Sequence, residues 1–239
     1  MRLHILFATV FTLLSTDCYP QTGWGIHPVH AKYFDVSMSI TTDMLIFPGD
    51  PPPIITTEVI PFGDTSLTLS KFSMGAHIGT HIDTPAHFLP GAANLDAFPP
   101  NRLIGEVFVL DFSSETSRAI TKEMLEKKRI PRRSGIFIKT VNSRLLLQTS
   151  YHNDHVYIEP DAADHLVQLG TTVLGFDYYN VDDSSTESLV SHTIFAKANV
   201  PVIVALSLNE VPEGRYTMAA LPLRLAGIEG SPTRVILWR

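Results

Sequence analysis

The chain has 239 residues, 44% of them hydrophobic and 18% charged, enough apolar material for one large domain and too much for a chain disordered throughout. Eighteen Lys and Arg against 24 Asp and Glu leave a net charge of −6, which repels phosphate and gives no polycationic surface for nucleic acid. Cys18 is the single cysteine. An intrachain disulfide, a CxxC redox pair and a thiolate-rich zinc site are thereby excluded, and ten histidines remain as metal-competent side chains.

Met1-Arg2-Leu3-His4 is a short basic start, Ile5 to Leu14 a largely apolar run, and Ser15, Thr16 and Asp17 are small or polar. That order reads as a secretory signal peptide over residues 1–20, with a mature domain over 21–239 and Cys18 near the cleavage point. The run is far shorter than the ~20 residues needed to cross a bilayer, and no later stretch reaches that length without charges. A secreted protein with no membrane partner is expected. Tyr33 to Ile40 alternates as a strand does, and Phe47-Pro48-Gly49-Asp50-Pro51-Pro52-Pro53 is a loop by composition. Period two returns around Leu67 and Leu69. Strands are predicted at Val107–Phe112, Gly135–Thr140, Val173–Phe176, Val202–Leu208 and Arg234–Trp238. Helices are predicted at Thr121–Arg129, capped by Thr121, at Pro160–Leu169, begun by proline and stopped by Gly170, and at Glu187–Ala198. Strands and helices interleave without a linker, so the fold class is α/β: a single domain with mixed β-sheets and flanking helices. The basic cluster from Lys127 to Arg133 reads as a solvated helix end.

The densest chemistry is Gly75-Ala76-His77-Ile78-Gly79-Thr80-His81-Ile82-Asp83-Thr84-Pro85-Ala86-His87-Phe88. Two imidazoles and a carboxylate at His77, His81 and Asp83 are what a borderline divalent cation such as Zn²⁺ or Mn²⁺ takes from a protein. Gly79, β-branched Thr80 and Ile82, and Pro85 argue against a helix here. In a straight strand His77 and His81 would stand about 13 Å apart, at roughly 3.3 Å per residue. One ion reaches both only if the backbone bends, and Gly79 supplies the place. His87, beyond Pro85, is near enough to exchange a proton with water on the ion, or to serve as a third nitrogen ligand.

The same segment resembles the HxGTHxDxPxHF signature of the metal-dependent cyclase family, which includes bacterial kynurenine formamidase and isatin hydrolase. Phe47-Pro48-Gly49-Asp50 is similar to that family's aromatic-PGD loop, and Gly175-Phe176-Asp177 with Asp182 to its GxDxxSxD segment. Ala220 to Leu225 and Gly227 to Pro232 are similar to its C-terminal ALPLKLxGxDGSP stretch. The resemblance implies an α/β fold with mixed sheets, usually in homo-oligomers. It implies His77, His81 and Asp83 as metal ligands, His87 as catalytic acid/base, and Phe47 as the aromatic packing on the substrate ring. Binuclear members use a later His and a Glu twelve residues beyond; His192 matches the first, and Val204 occupies the second. One divalent ion is therefore expected, with His192 left as a substrate contact. Asn180 stands where serine is usual. The implied activity is hydrolysis of an amide or lactam in a small aromatic molecule, with N-formylkynurenine the leading candidate.

The rival enzyme class is a 2-His-1-carboxylate iron oxygenase built on His81 and Asp83, and the rival outside catalysis is a metal-binding pseudoenzyme, favoured by Val204. A serine hydrolase and a dinucleotide-binding protein lack their motifs, G-x-S-x-G and G-x-G-x-x-G.

Overall fold

In the computed structural model, which describes residues 31–239, the β-branched and aromatic runs assemble into one sheet that closes on itself. The signal peptide and Cys18 lie outside the described residues. The strands are β1 (Tyr33–Asp35), β2 (Ile54–Phe62), β3 (Thr65–Ser73), β4 (His81–Asp83), β5 (Ile104–Asp111), β6 (Ala119–Ile120), β7 (Gly135–Lys139), β8 (Tyr157–Ile158), β9 (Leu174–Phe176), β10 (Val202–Val204), β11 (Gly214–Pro222) and β12 (Gly230–Trp238). The helices are α1 (Pro85–Phe88), α2 (Pro100–Leu103), α3 (Lys122–Glu126), α4 (Pro160–Gln168) and α5 (Val190–Lys197).

The main sheet runs β1-β12-β11-β5-β7-β9-β10-β4, and a further pairing of β4 with β12 closes the strands from β12 to β4 into a ring. This closure removes the outer edge that β4 would otherwise expose. The core follows the two-residue period of the strands. Val107, Val109, Phe137, Ile203, Val235 and Leu237 face one apolar cluster inside the barrel. Their neighbours Leu110, Ile136, Ile138, Val202 and Val204 face a second cluster, shared with Leu125 of α3, Leu166 of α4 and Phe195 of α5. Mixed sheets with flanking helices are thus present, with the main sheet curled into a barrel.

Several bounds differ from the sequence reading. The first strand ends at Asp35, because Ser37 turns its hydroxyl into the ladder and accepts from the Val235 amide at 2.8 Å. The strand begun at Val202 stops at Val204, because Ala205 adopts a left-handed φ of 54°, which breaks the pleat. Thr121 caps α3 by accepting from Met124 N, yet that helix ends at Glu126. The last helix begins at Val190 rather than Glu187. Lys128 is not merely solvated: its Nζ reaches the Asp111 carbonyl at 3.0 Å and Glu213 at 2.5 Å. The hairpin of β2 and β3 stands apart as a two-stranded sheet of its own.

Candidate metal centre and pocket

The residues from His77 to Asp83 form the bend and short strand that the sequence suggests, and Pro85–Phe88 add a short helix that the sequence reading did not expect. Gly79 takes φ 58°, a left-handed turn that folds His77 back toward β4. His81, Ile82 and Asp83 then pair on one side with β10 and on the other with β12, so the chain carrying the donors is gripped in the sheet. Pro85 starts α1, whose last turn carries His87.

Asp83 is the hub of the cluster. Its Oδ1 lies 2.7 Å from His77 Nδ1 and 3.3 Å from His81 Nε2. Donor atoms of His77, Asp83 and His87 all lie within 4.8 Å of one another, and the His77 and His87 rings stack at 4.0 Å. Two ligands bound side by side on one divalent ion, each about 2.1 Å from it, stand roughly 3.0–3.4 Å apart. The two contacts of Asp83 fall near that spacing.

The tautomers point the same way. His81 Nδ1–H donates to the Gly79 carbonyl at 2.7 Å, which leaves the Nε2 lone pair facing the Asp83 carboxylate. Two lone pairs held face to face in a buried place call for a positive charge between them, a proton or a metal ion. His77 Nε2–H donates to Glu229 Oε1 at 3.1 Å, which aims Nδ1 at Asp83 in the carboxylate–histidine arrangement that orients metal ligands. The donor set therefore fits a divalent cation.

Charge follows geometry. Burial pulls the His77 imidazole down, but hydrogen bonds and charges from Asp83 and Glu229 outweigh it and push its pKa up to about 9. Burial raises Asp83, yet the charge of His81 and the hydrogen bond from His77 hold its carboxyl well below the usual range. Burial lowers His87, as do the neighbouring imidazoles of His77 and His192, against the opposing charge of Asp83. The net effect lowers the His87 pKa, which favours its neutral form.

Glu229 is the residue that sequence reasoning missed. It lies 152 positions from His77, and only the pairing of β4 with β12, which sets Gly230 opposite Asp83, brings it close. Thr84 donates both its amide, at 2.9 Å, and its hydroxyl, at 2.6 Å, to the Glu229 carbonyl. Gly230 is needed beside it. A Cβ there would meet His77 Cε1 at 2.6 Å and the Ile82 carbonyl at 2.8 Å.

His192 lies on α5, buried, and stacks on Phe88 with centroids 4.5 Å apart. Its Nδ1–H donates to Asp182 Oδ2 at 2.6 Å, so Nε2 is the free, accepting nitrogen. The Asp182 carboxylate also accepts from the amides of Ser191 and His192, satisfying two donors at the helix start. Phe47 packs edge-on against Tyr151 at 5.2 Å. Phe47, Asp50, His87, Phe88, Asn180 and His192 line one cavity of about 210 Å³ together with the donor cluster. Every sequence-predicted site residue is in it. Val204 is Cα partner to His81 in the β10–β4 ladder, where it offers methyl groups and no donor atom.

A family model, Cyclase ("Putative cyclase"), matches residues 34–183. The chain belongs to the Cyclase family. Relatives of this Cyclase member include the kynurenine formamidase of Bacillus anthracis, 31% identical with 87% of this chain and 97% of that protein covered. The kynurenine formamidase of Paracidovorax citrulli is 28% identical over 85% of this chain and 95% of its own. A solved structure described as a "predicted metal-dependent hydrolase" from Bacillus stearothermophilus superposes with a TM-score of 0.75 at 32% identity, covering 87% of this chain and 98% of that one. Isatin hydrolase A from Labrenzia aggregata shares the fold, with a TM-score of 0.74 at 20% identity over 87% of this chain and 93% of that one.

Proposed function

We propose that this chain, a metal-dependent hydrolase of the Cyclase family acting on amides, opens an amide or lactam bond in a small aromatic molecule. An arylformamide of the N-formylkynurenine type is the leading substrate, and an isatin-like lactam is second. The observation that carries the reading is the convergence of His77, His81 and His87 on the Asp83 carboxylate at the floor of a cavity whose wall includes Phe47 and Phe88. His77, His81 and Asp83 would hold one Zn²⁺ or Mn²⁺, which supplies Lewis acidity to polarise a carbonyl and to acidify water. Val204 beside His81 supports a single ion, since the position that resembles the second ion's Glu in binuclear members carries methyl groups and no donor atom.

The protein's groups do the rest. Asp83 neutralises charge at the centre, and Glu229 keeps the His77 ring from rotating. His87, whose neutral form is favoured, accepts a proton at an imidazole nitrogen and returns it to the departing amine, a transfer worth about 10²- to 10⁴-fold in rate. His192, with Nδ1–H fixed by Asp182, presents Nε2 to accept a hydrogen bond from the substrate. Phe47 and Phe88 give an aromatic ring apolar faces to lie on.

The N-terminal run supports secretion, and the family resemblance supports a homo-oligomer. Edman sequencing of the exported chain tests the first: a mature N-terminus near residue 21 is expected, and an intact Met1 contradicts it. Elemental analysis with an anaerobic hydrolysis screen of arylformamides, lactams and esters tests the activity. One equivalent of metal with formamide or lactam turnover is expected. Iron with oxygen consumption, or metal without turnover, contradicts it.

A further inference from the structure

One carboxylate of the cavity takes no part in the donor cluster. Phe47, Pro48, Gly49 and Asp50 form a tight turn, closed by the Asp50 amide donating to the Phe47 carbonyl at 3.1 Å. Proline followed by a glycine at φ 96° is the central pair that a type II turn favours. Such a turn keeps the Cα atoms of its first and last residues within about 7 Å of each other, and here those residues, Phe47 and Asp50, both line the cavity. One short loop thus offers an aromatic face and a carboxylate side by side. Among the described residues the partly buried Asp50 carboxylate has no hydrogen bond or ion pair. Tyr179, a lining residue that feels the Asp50 charge, does not cover it. Its hydroxyl donates to the Leu45 carbonyl at 2.6 Å, and burial, helped by the Asp50 charge, raises the phenol pKa and keeps that proton in place. No Lys or Arg lines the cavity, so the wall brings no fixed cation to Asp50.

We infer that Asp50 is a specificity-determining residue whose carboxylate binds an ammonium group, carried on a short side chain of the substrate's aromatic ring, while that ring lies against Phe47. The inference rests on the hydrolase reading above and deepens it by naming a charged feature of the substrate. A carboxylate drawn partly out of water is stabilised by a cation that also donates hydrogen bonds to it, and an ammonium group does both. A substrate carboxylate placed there would meet a like charge. A neutral lactam of the isatin type offers Asp50 no charge to pair with. The cavity therefore ranks ammonium-bearing arylformamides above neutral arylformamides and lactams, and the choice between the two leading substrate types falls to a residue outside the metal cluster.

The test compares N-formyl-L-kynurenine with its desamino analogue, in which hydrogen replaces the ammonium group and nothing else changes. The metal-loaded wild-type protein should hydrolyse the first with kcat/KM about 10- to 100-fold above the second, the usual worth of hydrogen bonds to a charged group, with the difference chiefly in KM. Asp50→Asn, which keeps the shape of the side chain and removes its charge, should bring that ratio close to one. Equal hydrolysis of the two compounds by the wild type, or a variant that keeps the wild-type ratio, overturns the inference. A merely structural role in the turn would lower both rates and leave the ratio where it was. Calorimetric binding of L-kynurenine and of its desamino analogue to the metal-loaded protein separates this inference from the reading beneath it. Tighter binding of L-kynurenine by the wild type but not by Asp50→Asn, in a protein without turnover, contradicts the hydrolase reading and upholds the ammonium site. Turnover with no preference for the ammonium group in rate or in binding does the reverse, and binding of neither product by a protein without turnover overturns both.

Discussion

The molecule holds two imidazole–carboxylate clusters around one cavity, and they are built on opposite principles. At Asp83, one carboxylate is shared among imidazoles, with His77 and His81 both within 3.3 Å of the same oxygen. At Asp182, one carboxylate serves one imidazole and two backbone amides. The second cluster is complete as it stands, because the Asp182 carboxylate meets the His192 Nδ1–H and two backbone N–H groups. The first is a surplus of lone pairs converging on one place, and it needs a positive charge. Identical residue types thus make a holding site in one case and an oriented hydrogen-bonding group in the other, and the number of imidazoles per carboxylate decides which.

The largest effect should come from breaking the shared carboxylate. Asp83→Ala should lose metal and fall to background turnover, measured by elemental analysis and hydrolysis rate. Retained metal would show that the imidazoles suffice without their hub. His87→Ala should keep metal while turnover falls about 10²- to 10⁴-fold, the usual worth of general acid–base transfer. Loss of the metal in that variant would make His87 a ligand instead. Glu229→Ala should weaken metal affinity by about 10- to 100-fold, the usual cost of removing a carboxylate behind a ligating histidine, as read by competition with a chelator; Glu229→Gln, which keeps the acceptor, should fall between it and the wild type. Asp182→Ala should leave metal affinity unchanged and cost about 1–3 kcal/mol of stability through the orphaned donors of α5, seen in urea unfolding of the metal-loaded protein.

A pH dependence separates the clusters further. A proton and a metal ion compete for His77, whose pKa stands at about 9 without the ion. Metal affinity should therefore rise roughly tenfold per pH unit as pH climbs toward 9 and level off above it. The sign reverses for the metal-free protein. A pKa raised from 6.5 to about 9 on folding stabilises the fold fully below pH 6.5, and that contribution is lost as pH rises through about 9. Thermal melts of stripped and loaded protein across that window should diverge.

Much of the candidate site was legible because its imidazoles and carboxylate lie within eleven residues, and Gly79 marks where the backbone must turn. Glu229 was not legible, since its place depends on β4 pairing with β12 and on Thr84 binding its carbonyl, contacts that no local pattern encodes. The strand bounds show the same limit. Val202 to Leu208 reads as one apolar run, but Ala205 leaves the pleat so that its amide can donate to the Tyr178 carbonyl at 2.8 Å. The barrel was hidden for a like reason: interior and helix-facing residues are both apolar, so burial on two faces erases the alternation that would reveal curvature. Ile54–Phe62 carries five apolar side chains besides Pro61, and every residue of the strand is nonetheless exposed.

The central claim, that His77, His81 and Asp83 hold one divalent ion, is tested most directly by anomalous diffraction from crystals of the metal-loaded protein. The account predicts a single peak within about 2.0–2.3 Å of a nitrogen of each histidine and an oxygen of Asp83. A peak bonded elsewhere, or a loaded crystal with none at Asp83, would contradict it.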